Sequence, residues 1–234
     1  MAMHQVRVKI EGLRDPQTAV RVAELGADAI GLVFAESPRR VTPEQAREIV
    51  AALPPTAASV GVFVNAPADE INRVVEQTKI DYVQLHGDEP TDIVGKIHAP
   101  CIKAFRVRDR KWIEEVRTWL GGISLGKVRE NASVQRFVPS GVTVLLDAYD
   151  PAVRGGSGRR FNWELIARAR GKGEMEGLGP IILAGGLDAS CVAEAVRVAQ
   201  PWAVDVASGV ESAPGFKDLD KVRAFLAAVR AAGE

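Results

Sequence analysis

The stretch VRVKIEG, residues 6–12, decides the fold. It is a short run of alternating apolar residues that ends in Lys9-Ile10-Glu11-Gly12 and leads into a segment with helical spacing of apolar residues. A doubly wound nucleotide-binding sheet usually carries G-x-G-x-x-G after its first strand, and that fingerprint is absent at this point. The first strand therefore favours a closed β/α barrel, and an open doubly wound sheet is the alternative.

Seven further apolar runs follow, each separated from the next by a turn and, in most cases, a segment with helical spacing. The eight runs are 6–10, 29–34, 59–64, 82–86, 101–107, 142–148, 180–184 and 203–207. They are continuously hydrophobic, which is typical of parallel strands covered on both faces. Eight β/α units of about 29 residues predict an α/β fold, a single (β/α)8 TIM barrel over residues 1–234. Gly-rich extensions at about 121–141 and 171–179 are interpreted as surface insertions.

Composition excludes several classes of protein. The 234 residues include 30 basic and 30 acidic side chains, and 47% are hydrophobic. This balance argues against a nucleic-acid or membrane-surface partner and against disorder. Only two cysteines are present, far apart in sequence, so a disulfide framework or zinc site is not expected. With no targeting segment and no apolar stretch of about 18 residues, we expect a cytoplasmic protein.

Polar residues mark the strand ends, where the active site of a β/α barrel lies. Buried charges at one end of a barrel are costly unless they are paired or used. The candidates with charged or hydrogen-bonding side chains are Lys9, Glu11, Arg39, Gln84, His86, Lys103, Arg106, Asp147 and Asp205.

Glycine turns form a second signal. Gly185-Gly186 follows the seventh strand and Ser208-Gly209 follows the eighth, the usual place for a phosphate in such barrels. Glycine there lets backbone N–H groups approach an anion. The segment GGSG at 155–158, which includes Gly156, could line a further side of this anion site. These turns predict a phosphate-binding site.

Many blocks in this order resemble the phosphoribosylanthranilate isomerase family of tryptophan biosynthesis. They are VKIEGL, GADAIGLVFAESPRRVTPEQA, VGVFVNAP, VQLHGDE, IKAFRV, LLDAYDP with GGSGRRFNW, ILAGGL and VDVASGVESAPGFKD. The resemblance implies an Amadori rearrangement of a small phosphoribosyl substrate, without cofactor or metal, in a monomer or homodimer. It further implies that Asp147 is the general acid and that Arg39 holds the anthranilate carboxylate. It makes Asp205 a ligand-orienting residue and the glycine turns the phosphate cradle. Gln84 and His86, at the end of the fourth strand, are further candidates for substrate binding.

One departure from the family concerns the base. The family writes Lys-Ile-Cys-Gly and uses the cysteine, whereas this chain has Glu11 at that place. A carboxylate can abstract the same proton, so Glu11 is the expected general base. The alternatives are that Glu11 only pairs with Lys9 or Lys103, or that the chain is a homologue with impaired, lost or retargeted activity that still binds a phosphosugar. His86 could equally be a structural residue of the strand end.

Overall fold

Eight parallel strands close into a barrel in the computed structural model, which describes residues 5–123, 137–138, 141–147 and 163–232. The strands are β1 Arg7–Glu11, β2 Ala29–Val33, β3 Ala58–Phe63, β4 Tyr82–Leu85, β5 Cys101–Arg106, β6 Val142–Asp147, β7 Ile181–Ala184 and β8 Ala203–Val206. Each pairs in parallel with its neighbours, and β1 pairs with both β2 and β8. The predicted (β/α)8 barrel is confirmed, and the open sheet is wrong.

Helices pack around this barrel. They are α1 Pro16–Glu24, α2 Pro43–Ala52, α3 Ala68–Thr78, α4 Trp112–Gly121, α5 Trp163–Gly171, α6 Val192–Ala199 and α7 Leu219–Ala232. Between β4 and β5 the connection is a 3-10 helix, Thr91–Lys96, in place of an α-helix. Before α7, Glu211–Ala213 pairs with Phe216–Lys217 in a short antiparallel hairpin. Within the described residues, none of the helices combines the length and apolarity needed to cross a membrane.

Local sequence explains where the helices begin. The Thr42 hydroxyl accepts a hydrogen bond from the Gln45 N–H, and the Gln45 side-chain oxygen accepts one from the Thr42 N–H, which forms a capping box at the start of α2. Pro43 occupies the first helical turn, where its missing N–H costs nothing. Asp15 caps α1 in the same way through the Thr18 N–H. These short-range signals fix the βα loops and hence the barrel mouth.

The floor of the barrel is closed by part of the first extension. Phe137 and Val138 are fully buried and pack with the inward-facing residues of the strands. The Phe137 carbonyl accepts hydrogen bonds from Arg7 and Trp202, at 2.8 and 3.0 Å. The interpretation of 121–141 as a surface insertion is therefore wrong for these two residues, because an apolar pair inside a polar segment fills the bottom of the barrel. The second extension follows α5 as a run of turns that buries Leu178.

Candidate functional site

A buried lysine joins two carboxylates inside the barrel mouth. Lys9 and Glu11 lie on β1 two residues apart, so both side chains face inward. The Lys9 Nζ donates to Glu11 Oε2 at 2.8 Å and to Asp205 Oδ2, from β8, at 2.9 Å. Lys9 is completely buried, whereas the Glu11 side chain keeps 16% of its surface exposed. This triad places Glu11 uppermost, toward the open end of the barrel.

The triad separates the pKa values of its two carboxyl groups. Burial by itself raises the pKa of Glu11, but the charge and hydrogen bond of Lys9 outweigh it and lower that pKa to about 2. Burial raises the pKa of Asp205 to about 7, and the negative charge of Glu11 reinforces this against the attraction of Lys9. Two carboxyl groups that share one ammonium titrate as a pair, and the group nearer the mouth is the one that stays ionised.

One oxygen of Glu11 is available for chemistry. Its Oε2 accepts a hydrogen bond from the Lys9 ammonium and another, at 3.3 Å, from the Gln84 amide nitrogen. Neither of these two donors is on Oε1. An ionised and partly exposed carboxylate at the end of a barrel strand can accept a proton from a ligand.

A chain of hydrogen bonds runs from Glu11 to Asp147. The Gln84 amide nitrogen also lies 2.9 Å from His86 Nδ1, and His86 Nε2 lies 3.1 Å from Asp147 Oδ2. Because an ionised Glu11 can only accept, Gln84 turns its NH₂ group toward it and toward His86 Nδ1. In the neutral ring, Nε2 then carries the hydrogen and donates it to Asp147. Gln84 and His86, predicted as ligand-binding residues, thus connect the two carboxylates at opposite sides of the mouth.

The pKa of His86 is raised by this arrangement. Burial lowers it, but the hydrogen bond to Asp147 and the negative charges of Glu11 and Asp147 outweigh burial. The imidazolium form of His86 is therefore stabilised relative to a free histidine, at the place where the ring meets Asp147 beside the mouth.

Arg39 lies on the other side of the mouth and is engaged by an acidic residue that was not predicted. Its Nε donates to Glu211 Oε1 at 2.8 Å and its Nη2 to Glu211 Oε2 at 2.6 Å. Lys217 donates to the same Oε1 at 2.7 Å. Glu211 and Lys217 follow the last strand instead of ending it, so a search limited to strand ends misses them. The signal that could have found them is their place in the block VDVASGVESAPGFKD.

The two predicted glycine turns lie against each other. Gly185 and Gly186 have φ values of 93° and 64°, which side chains rarely adopt. A Cβ on Gly209 would lie 2.0 Å from the Leu187 carbonyl oxygen, so the turns after β7 and β8 touch only because residue 209 is glycine. Within the described part of the chain, the N–H groups of Gly186 and Leu187 donate no hydrogen bond. Two adjacent glycine turns at the carboxyl ends of β7 and β8 suit a phosphate group.

Other predicted residues are placed differently or lie outside the described ranges. Lys103 is buried and pairs with Glu89 at 2.9 Å, so the alternative that Glu11 pairs with Lys103 is wrong. Its Nζ also donates to the Gly87 carbonyl, at 2.6 Å, which holds the loop after β4 in place. Lys9 fills the role instead, because only it shares an inward face with Glu11. Gly156 lies outside the described residues.

Comparisons with known proteins agree on one family. The family model described as N-(5′phosphoribosyl)anthranilate (PRA) isomerase matches residues 8–228. A protein from Geobacter sulfurreducens named N-(5′-phosphoribosyl)anthranilate isomerase is 44% identical over 94% of this chain and 97% of its own length.

Solved structures give the same result. One is a phosphoribosyl anthranilate isomerase in complex with reduced 1-(o-carboxyphenylamino)-1-deoxyribulose 5-phosphate. It has a TM-score of 0.78 and 34% identity, covering 97% of this chain and 99% of that one. Another contains monomers generated from the dimeric isomerase of Thermotoga maritima, with a TM-score of 0.77, 32% identity and the same coverage.

Proposed function

This chain belongs to the N-(5′-phosphoribosyl)anthranilate isomerase family, and from that premise we propose how its residues divide the chemistry. The chain is an isomerase of tryptophan biosynthesis. It converts N-(5′-phosphoribosyl)anthranilate to 1-(2-carboxyphenylamino)-1-deoxyribulose 5-phosphate, an Amadori rearrangement. The reaction needs an acid at the ribose ring oxygen and a base at C2′, with pKa values held apart.

Glu11 is the general base of this proposal. The observation that carries it is the Lys9 bridge, which keeps Glu11 ionised, while the donors Lys9 and Gln84 both contact Oε2 and leave Oε1 to the ligand side. Glu11 removes the C2′ proton of the open-chain protonated Schiff base. The electron pair of that C–H bond becomes the C1′–C2′ double bond of an enolamine, and the π pair of the C1′–N double bond returns to nitrogen. The enolamine then gains a proton at C1′ and loses the C2′ hydroxyl proton, which yields the ketose. A carboxylate thus replaces the family's cysteine as base.

Asp147 is the general acid of this proposal. It donates a proton to the ribose ring oxygen, and the bond between that oxygen and C1′ breaks as the nitrogen lone pair forms the Schiff base. Support comes from its place at the end of β6 and from His86, 3.1 Å away, which can return a proton to Asp147 after each turnover. Gln84 fixes the ring orientation of His86.

The remaining contacts hold the two ends of the substrate. Arg39 binds the anthranilate carboxylate, for which a guanidinium is well suited. Gly185, Gly186, Ser208 and Gly209 bind the phosphate, with Gly156 as a further wall, and Asp205 orients the ribose. No cofactor or metal takes part. A cytoplasmic location and a monomeric or homodimeric state complete the proposal, and the dimeric relative from Thermotoga maritima supports the latter.

Turnover of Glu11 variants tests the assignment of the base. We expect Glu11→Gln to lower kcat by about 10²- to 10⁴-fold, the usual contribution of a general base, measured as loss of substrate fluorescence. Glu11→Cys should retain or raise activity, because Lys9 stabilises a thiolate whose basicity exceeds that of this carboxylate. Glu44→Gln, on the exposed face of α2, is the matched control.

Two results would contradict the proposal in different ways. If the kcat of Glu11→Gln equalled that of the wild type, Glu11 would not be the base. A wild-type protein that binds the reduced product but neither turns over substrate nor complements a tryptophan auxotroph would favour a binding-only or retargeted homologue. A different phosphosugar isomerase would bind phosphate without depending on Arg39.

A further inference from the structure

The cluster of Arg39, Glu211 and Lys217 carries an inference beyond the acid and base. We infer that Glu211 and Lys217 are positioning residues that set the direction and the charge with which Arg39 meets the substrate's carboxylate. The inference rests on the proposed function, because it takes Arg39 to be the carboxylate ligand.

Glu211 engages one edge of the Arg39 guanidinium. The two parallel hydrogen bonds, at 2.8 and 2.6 Å, use Nε and one hydrogen of Nη2. Nη1 donates to no residue within the described ranges, so the opposite edge keeps its hydrogens for a ligand. A bidentate pair holds the plane of the guanidinium as well as its position. Glu211 therefore decides which edge of Arg39 faces the mouth.

Gly12 holds the aliphatic part of Arg39. Gly12 has a φ of +83°, and a Cβ there would lie 2.6 Å from Arg39 Cδ. The Arg39 stem thus lies directly on the backbone next to Glu11. With its stem against Gly12 and its head on Glu211, Arg39 has little freedom to swing away from the proposed base. This fixes the carboxylate-binding edge relative to the atom that takes the C2′ proton.

Lys217 adds a positive charge to the cluster, because Glu211 neutralises the charge of Arg39. A pair of Arg39 and Glu211 alone would be neutral and would attract an anionic ligand only weakly. Lys217 Nζ donates to Glu211 Oε1 at 2.7 Å and to the Ala207 carbonyl at 2.9 Å, and its side chain is almost completely buried. The three side chains together carry one net positive charge, only part of which reaches solvent. The cluster is therefore both oriented and cationic.

Selectivity for a carboxylate follows from this arrangement. A ligand that has the carboxylate on its aromatic ring gains the free edge of Arg39, and a ligand that lacks it gains nothing there. Loss of Glu211 or Lys217 should therefore weaken the binding of the carboxylated ligand and leave the binding of the other ligand unchanged. If the two residues had a purely structural role, their loss would weaken the binding of both ligands equally.

Calorimetric titration with two ligands tests the inference. The probes are reduced 1-(o-carboxyphenylamino)-1-deoxyribulose 5-phosphate and its phenylamino counterpart without the carboxylate. We expect Glu211→Gln and Lys217→Gln each to raise the Kd of the carboxylated ligand by about tenfold, and that of the counterpart by less than about twofold. Glu89→Gln breaks a buried Lys–Glu pair outside this cluster and is the control for general destabilisation. It should leave the ratio of the two Kd values as in the wild type.

A double substitution completes the test. If Glu211 acts through Arg39, the double variant Arg39→Met with Glu211→Gln should bind the carboxylated ligand with the same Kd as Arg39→Met alone. Equal losses for both ligands, or additive losses in the double variant, would overturn the inference. Wild-type turnover is measured separately. An inactive wild type counts against the proposed function, whereas an active wild type with unchanged ligand selectivity in Glu211→Gln counts against this inference alone.

Discussion

The ammonium of Lys9 lies 2.8 Å from the carboxylate of Glu11, two residues further along the same strand. Alternation along a strand puts residues i and i+2 on one face, and long side chains let their charged ends meet. In this barrel the face is the interior, so the pair is formed away from water. The ionisation of the proposed base is thus controlled by its own strand.

Replacing Lys9 should shift the acidic limb of the pH dependence of kcat/KM to higher pH. With Lys9 present, the pKa of Glu11 is about 2, so the base stays ionised well below neutral pH. In Lys9→Met, the two largest influences that lower the pKa of Glu11 are removed while burial remains, so that pKa rises from its wild-type value. We expect kcat/KM to fall below about pH 5 in this variant and not in the wild type.

Lys103→Met is the matched control for this experiment, because it removes another buried lysine that does not contact Glu11. An unchanged acidic limb in Lys9→Met would show that Lys9 does not set the ionisation of the base. Since an unpaired buried charge is destabilising, the pair Lys9→Met with Asp205→Asn gives a second variant with the interior charge reduced on both sides.

Asp205 should make stability fall as pH rises toward neutral. Its pKa is about 7 in the folded chain against a usual 3.8, so between these values the folded state binds more protons than the unfolded state. Stability gained from this group is complete below about pH 4 and is lost as pH rises to about 7, at up to about 1.4 kcal/mol per pH unit. Urea unfolding from about pH 5 to about pH 7 measures the slope. Asp205→Asn should flatten it, and an identical slope in that variant would contradict the assignment.

Gly209→Ala should weaken phosphate binding. The new Cβ would meet the Leu187 carbonyl oxygen at 2.0 Å, and the two glycine turns would have to separate. We expect at least about tenfold weaker binding of ribose 5-phosphate by calorimetry, because the backbone N–H groups no longer converge. Gly171→Ala has open space around its Cβ and should bind as the wild type does. Equal affinity in both variants would remove these turns from the phosphate site.

Phe137→Ala should destabilise the barrel. Phe137 is completely buried in the floor, and its truncation leaves a cavity that costs about 3–5 kcal/mol. Urea unfolding measures this loss. Phe216→Ala, at a residue with 62% exposure, should change stability by less than about 0.5 kcal/mol. Similar values for the two variants would show that Phe137 is not part of the core.

The sequence predicts the strands to within one or two residues, because the continuous apolar runs are bounded by polar residues or glycine within a few positions. It predicts the strand-end candidates equally well, and Glu11, Gln84, His86, Asp147 and Asp205 do meet at one mouth. The depth of Lys9 could not be predicted, since alternation gives the face of a residue but not its partner across the barrel. The pairing of Arg39 with Glu211 depends on ring closure, which brings together residues 172 positions apart. Glu211 lies beyond the last strand, so no local pattern marks it.

Phe137 and Val138 fill the end of the barrel interior that lies opposite the mouth. The proton that the proposed base Glu11 takes from C2′ lies above this buried pair, and within the described part of the chain the way to bulk water leads past the ligand that fills the mouth. A proton held there exchanges slowly with solvent and stays beside C1′, the carbon that must next be protonated. Deuterium placed at C2′ of the substrate should therefore be found in part at C1′ of the product.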